Sequence, residues 1–227
     1  SGAGKKPEAI HLARDDGTSL HFAVTGNMRI TEGDDGTVSV YYEDGNKTVT
    51  YKPDGSWSET RGDTASGKGY AVHIHLTGTD VVARDLGSII YNYADNARIV
   101  GGAGDDLIFL GNNVSGLNIE CGDGNDTIYG KNIRNSTINL GGGNNTLHCE
   151  ALIDSTITSG DGNNTINAAW VSDSNIHLGN GNNTVILDTI EGRSRLSAGD
   201  GDNNVTIGTM RAKDGFAPWV ILGDGTN

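Results

Sequence analysis

The chain has 227 residues, of which 35 are glycine and 3 proline, with 35% hydrophobic and 20% charged residues. Glycine stands at about twice its usual share of roughly 7%, and with so little proline and no three-residue period collagen is excluded. Lys and Arg number 16 against 29 Asp and Glu, a net charge of −13 that argues against a binder of nucleic-acid backbones; the longest apolar run, Phe216 to Leu222, falls well short of the roughly 18 residues a membrane span needs.

The chain opens Ser1-Gly2-Ala3-Gly4-Lys5-Lys6 without methionine or an apolar leader. It reads as a trimmed start, so the lack of a signal peptide carries no information about secretion. Residues 1–78 carry turn signals at Asp15-Asp16-Gly17, Gly33-Asp34-Asp35-Gly36, Glu43-Asp44-Gly45-Asn46 and Pro53-Asp54-Gly55. Between them lie alternating runs such as Thr37–Tyr42 and Lys47–Tyr51, which predicts a small antiparallel β meander. His73 and His75 share one face of a predicted strand, but zinc needs three or four placed ligands, and Asp80 and His21 are not fixed nearby. Residues 79–100, with Val82 and the Ile89/Tyr91 pair, read as a degenerate capping coil.

From residue 101 the chain repeats. Segments starting at Gly102, Gly122, Gly141, Gly160, Gly179 and Gly199 share Gly-x-Gly, two Asp or Asn residues, a variable residue and an aliphatic. Their starts lie 20, 19, 19, 19 and 20 residues apart, and a seventh start at Gly223 follows after 24. That last interval leaves room for a loop near Met210–Gly215. After each turn one aliphatic column runs Ile108, Ile128, Leu147, Ile166, Val185 and Val205. Before each turn another runs Ile99, Ile119, Ile138, Ile157, Ile176 and Leu196. A second inward position lies two residues beyond each, as a strand face requires. A strand with one apolar face cannot bury it alone, whereas stacked coils bury a shared column. The predicted fold is all-β: a right-handed parallel β-roll or β-helix solenoid over 79–227, with 19–20-residue coils, preceded by the meander. The stack ends inside its seventh turn, which reads as a piece of a longer protein with an open C-terminal edge; self-association through that edge is expected.

Gly101-Gly102-Ala103-Gly104-Asp105-Asp106-Leu107-Ile108-Phe109 fits every fixed position of the nonapeptide GGxGxDxUx. By this segment, and by Cys121–Tyr129 except at its first position, residues 100–207 resemble the RTX (repeats-in-toxin) calcium-binding β-roll family. Asn145, Asn164, Asn183 and Asn203 depart by replacing the motif aspartate. The coil is also longer than a nonapeptide pair, and the opposite edge (Asn113–Gly116, Arg134–Ser136, Ser172–Ser174) looks irregular. The resemblance implies calcium between the first two turns, held by Asp106 and Asp126 with carbonyls near Gly102 and Gly122. Asp105 and Asp123 serve as alternates or outer ligands. From Gly141 onward the amides carry no charge to hold calcium, and a stacked asparagine ladder is expected instead.

Outward strand positions carry one acid, Glu120, whereas glycosidic chemistry needs two close together. A single Thr-x-Thr pair, Thr156 and Thr158, does not make an ice-binding grid. The column Phe109, Tyr129 and His148 reads as cross-coil packing rather than a sugar platform. Cys121 and Cys149 fall on inward columns of opposite strand runs and are expected as free thiols. No HExxH, GxSxG, GxxxxGK[ST] or CxxC motif is present. The expected function is a non-catalytic, secreted or cell-surface repeat module of a larger bacterial protein of toxin or adhesin type, with calcium as cofactor and no nucleic-acid partner or membrane span. The competing expectation is a spacer or accessory module of a secreted polysaccharide-active enzyme whose catalytic domain lies elsewhere. The ligand is open.

Overall fold

The structure, a computed structural model, describes residues 95–227 without interruption. Before them it describes residues 9–13, 19–23, 28–35, 37–42, 47–52, 57–61, 63–67, 72–76, 81–82 and 88–92. Two strands, β1 (Ala9–Ala13) and β2 (Ser19–Ala23), form an antiparallel hairpin. Five more form an antiparallel meander: β3 (Met28–Glu32), β4 (Val38–Tyr42), β5 (Lys47–Tyr51), β6 (Trp57–Arg61) and β7 (Asp63–Gly67). Val49 is buried at its centre, and Ser39 and Thr50 meet through their hydroxyls at 3.3 Å across β4 and β5.

All further strands belong to the coils. The first two coils contain β8 (Val72–Leu76) with β9 (Val81–Val82), and β10 (Ser88–Asn92) with β11 (Arg98–Val100). The next two have three strands each. These are β12 (Leu107–Leu110), β13 (Asn113–Ser115) and β14 (Asn118–Glu120), then β15 (Thr127–Tyr129), β16 (Asn132–Arg134) and β17 (Thr137–Asn139). Later coils pair a long strand with a short one: β18 (Thr146–Ile153) with β19 (Thr156–Thr158), and β20 (Thr165–Ser172) with β21 (Asn175–Leu178). The last are β22 (Thr184–Glu191) with β23 (Arg195–Ala198), and β24 (Asn204–Arg211) with β25 (Trp219–Leu222).

Equivalent strands pair in parallel from coil to coil in a right-handed β-solenoid with coils of about 19 residues; ten coil strands and the β1–β2 hairpin, joined to β8 through β2, make a 12-stranded sheet, and the other coil strands an 8-stranded one. The predicted fold class is the observed one. The parallel stack begins at β8, ahead of residue 79, because Val72–Leu76 already pairs with β10. Its sequence alternates Val72, Ile74 and Leu76, the pattern a coil strand needs. Here His73 and His75 stand opposite Ile89 and Tyr91. Their side chains, and Asp80, lie outside the described residues.

Both predicted aliphatic columns are buried except at Val205, half-buried in the last coil, with Ile99, Ile119, Ile138, Ile157 and Ile176 at 0% exposure. A third column, Val114, Ile133, Leu152, Val171 and Ile190, was not anticipated and is equally buried. It exists because each coil turns a corner. At that corner Glu150 and Ala151 both donate their backbone N–H to the Lys131 carbonyl, the two-against-one arrangement of a bulge. The corner shifts the inward parity: Ile166 and Ala168 point inside, then Val171 rather than Trp170. The core is thus a three-sided prism of aliphatic side chains.

Cys121 and Cys149 are free and buried in these columns, as expected. Burial holds the Cys149 thiol up at about 12, and burial together with the charges of Asp126 and Asp106 raises Cys121 well above the usual range. The thiolate is the reactive form. A thiol reagent near neutral pH is therefore expected to label neither cysteine in the native protein within minutes, and both after denaturation without reductant. Fast native labelling of either would contradict the packing described.

Candidate functional site

The Gly-x-Gly turns stack on one edge of the solenoid and carry hydrogen-bonded side-chain ladders. The inner ladder is Asp106, Asp126, Asn145, Asn164, Asn183 and Asn203, all buried, and it ends on Asn227. From Asp126 onward each side chain accepts, through Oδ1, the backbone N–H of its equivalent one coil earlier. Asp126 accepts from Asp106 at 2.8 Å, Asn145 from Asp126 at 2.8 Å, and Asn164 from Asn145 at 3.0 Å. An outer ladder runs the other way: Asp105 Oδ1 accepts from Asn125 N at 2.7 Å, and Asn125, Asn144, Asn163 and Asn182 continue it. Asp105 and Asp123 are exposed on this rim, away from the interior position of Asp106 and Asp126.

The asparagines do a second thing that aspartates cannot. Asn145 Nδ2 donates into its own turn, to the carbonyls of Gly141 and Gly142 at 3.2 Å and Gly143 at 3.4 Å. Asn164, Asn183 and Asn203 repeat this with their own glycines at 3.0–3.4 Å. One amide NH₂ thus draws together oxygens that would otherwise face one another unpaired. A carboxylate has only acceptors. In the Asp126 coil, Oδ2 is buried and has no hydrogen-bond partner. Burial is the main reason its carboxyl is raised from 3.8 to about 7; the bonds from Asp106 oppose this, and the charges of Asp105 and Asp123 add to it.

The arrangement therefore lacks a positive group, either a proton on the carboxyl or a cation among the oxygens. Calcium suits such a place because it takes 6–8 oxygens in loose geometry, backbone carbonyls included. Asp106, Asp126 and the turn carbonyls of Gly102 and Gly122 would hold it, and the ion would supply the positive charge that Nδ2 hydrogens supply further along. Among the described residues, no cluster of three or more His, Cys, Asp or Glu stands ready for a metal, so carbonyls would provide most of the ligands.

The opposite edge is regular, contrary to the sequence reading. A left-handed residue recurs there: Asn96, Gly116, Asn135, Asp154, Asp173 and Gly192, with φ between 47° and 71°. Beside it runs a serine ladder, in which Ser136, Ser155, Ser174 and Ser194 accept the N–H of Leu117, Ser136, Ser155 and Ser174 at 3.0–3.2 Å. The signal was present as Asn135-Ser136, Asp154-Ser155 and Asp173-Ser174, 19 residues apart. It is short and lacks glycine pairs, so it does not stand out beside the first edge.

On the outer face, Phe109 and Tyr129 stack at 5.6 Å and 14°, and His148 tilts against Tyr129 at 6.1 Å. The two stacked rings spend their faces on each other, as cross-coil packing. No family model, no curated protein and no solved structure matches the chain.

Proposed function

We propose that this chain is a non-catalytic repeat module of a secreted or cell-surface bacterial protein of the RTX-like kind, stabilised by calcium at its first two turns. The observation that carries the reading is the buried, unpartnered Oδ2 of Asp126 in a turn whose later copies place a donor there. The net charge of −13 is in keeping with this, since extracellular calcium offsets self-repulsion that a calcium-poor compartment would leave. Few carboxylates and a single calcium-type edge put the affinity on the order of 10⁻⁴ to 10⁻³ M, the range of extracellular modules. At a hundredfold excess over Kd, calcium would stabilise the native state by about 2.7 kcal/mol. Melting in several millimolar calcium is expected to rise above that in magnesium or chelator. Equal melting temperatures in all three would overturn the calcium part and leave a solenoid held by aliphatic columns and amide ladders.

Among the described residues, strands β24 and β25 each have a sheet partner on one side only, and Met210 in β24 and Ile221 in β25 are exposed. These edges are our candidate for pairing with a second copy. Sedimentation is expected to show concentration-dependent association of the chain, and a strict monomer at high concentration would rule it out.

A further inference from the structure

The last coil departs from its predecessors in a way that builds a second site. Between β24 and β25 the chain inserts a tight turn, with Lys213 and Phe216 exchanging backbone hydrogen bonds at 2.8 and 2.9 Å. Its central residues, Asp214 and Gly215, both have positive φ (51° and 81°), as a type I′ turn requires. The turn folds back over the serine-ladder edge. Lys213 Nζ reaches Asp173 at 2.6 Å, two coils earlier, and Ser172 Oγ at 3.1 Å. Arg211 pairs with the buried Glu191; burial alone would raise that carboxyl, but Arg211 and Ser172 outweigh it and hold it below its usual range.

Arg211 and Lys213 are thus each matched to a carboxylate. Arg193 and Arg195 are not: among the described residues neither guanidinium has an ion-pair partner. Both lie over rings instead, Arg193 3.7 Å from the Phe216 centroid and Arg195 5.2 Å from that of Trp219. Stacking engages the flat face of a guanidinium and leaves its in-plane N–H groups free. These four side chains, with Ser194 and Ala217, line a cleft of about 360 Å³. It adjoins a wider one of about 620 Å³ whose rim includes Asp154, Asp173, Asn175 and Asp214. Asn175 Oδ1 is buried there with no hydrogen-bond partner.

We propose that this cleft binds a carboxylate-bearing sugar unit of an acidic polysaccharide. The two guanidinium edges suit a carboxylate, which arginine holds through paired hydrogen bonds. Phe216 and Trp219 each carry a guanidinium on one ring face and, at 43% and 38% exposure, present their remaining ring surface to the apolar face of a pyranose. The carboxylates of Asp154 and Asp214 and the Asn175 oxygen are acceptors, and sugar hydroxyls are the donors they lack. Beside the two guanidinium groups the lining also holds Asp154 and Asp214, which disfavours chains charged more densely than one carboxylate per sugar. The volume suits one or two sugar residues.

The site involves neither Asp106 nor Asp126, so its test is run in chelator and its outcome is independent of the calcium reading. Titration calorimetry of the whole chain with a galacturonate trisaccharide is expected to show binding, and a neutral trisaccharide of equal length none. Loss of charge-assisted hydrogen bonds in Arg195→Gln should weaken binding about tenfold or more, with Trp219→Ala comparable. Arg195→Lys, which keeps the charge but not the fork, should fall between wild type and Arg195→Gln. Both side chains are exposed, and an unchanged melting temperature checks that each variant is folded. No heat of binding up to about 10 mM, well beyond millimolar affinity, would overturn the proposal. So would equal binding of the neutral sugar, tighter binding of a sulfated trisaccharide, or undiminished affinity in the Arg193→Gln/Arg195→Gln double variant.

Discussion

Replacing Asp126 by asparagine is expected to make the calcium-free protein more stable, by about 1–3 kcal/mol above neutral pH, the usual cost of a buried polar group left unsatisfied. The change is isosteric. Oδ1 keeps its bond from Asp106 N, and the new Nδ2 can donate to the turn carbonyls as Asn145 Nδ2 does. Wild type carries a matching pH dependence. Burial raises the folded-state value of Asp126 from 3.8 to about 7, so the native state holds this proton more tightly than the unfolded chain. Its contribution is complete below about pH 4 and is lost as pH rises towards 7, at no more than roughly 1.4 kcal/mol per pH unit. Denaturant unfolding at about pH 5 and pH 8 in chelator should show this loss in wild type and a flatter profile in Asp126→Asn. The variant should also lose most of the calcium-induced rise in melting temperature. If Asp126→Asn is the less stable protein at pH 8, the account of the inner ladder is wrong; if its calcium response is intact, Asp126 is not a ligand.

Gly141→Ala is expected to destabilise the chain by about 3 kcal/mol or more, combining left-handed strain of roughly 1–2 kcal/mol with overpacking of similar size. At φ 72°, a Cβ on Gly141 would stand 1.9 Å from the Gly122 carbonyl oxygen, and that obstacle is backbone, which cannot swing aside. Gly215→Ala is the control. Its φ is 81°, yet a Cβ there meets nothing within 4 Å, so only the conformational cost of roughly 1–2 kcal/mol applies. Equilibrium unfolding of the two variants separates the terms: a loss at Gly141 no greater than at Gly215 would mean that the turns do not stack as closely as described.

The inner columns were readable from the chain alone because a solenoid repeats its burial at a fixed period, so Ile99, Ile119, Ile138, Ile157 and Ile176 recur every 19 or 20 residues. The same period located Asp106 and Asp126 on one edge, one coil apart. The third column is not legible in the same way, although Ile133, Leu152, Val171 and Ile190 keep the same spacing. A two-residue alternation carried through the whole strand does not reach these positions, because the bulge at Glu150 and Ala151 changes which parity points inward.

Composition and period determined by themselves that this chain is all-β, coiled, acidic and held by aliphatic columns, since each property follows from residues whose partners are their own copies one turn away. Only the tertiary structure decided what the turns do chemically: that asparagine Nδ2 fills its own glycine turn while Asp126 Oδ2 has no donor, a matter of which atom faces inward. It also decided where the Lys213–Phe216 turn lands. A type I′ turn is recognisable at Asp214-Gly215, but its folding back to place Phe216 on Arg193 and Lys213 on Asp173 depends on contacts between coils, which no local pattern encodes.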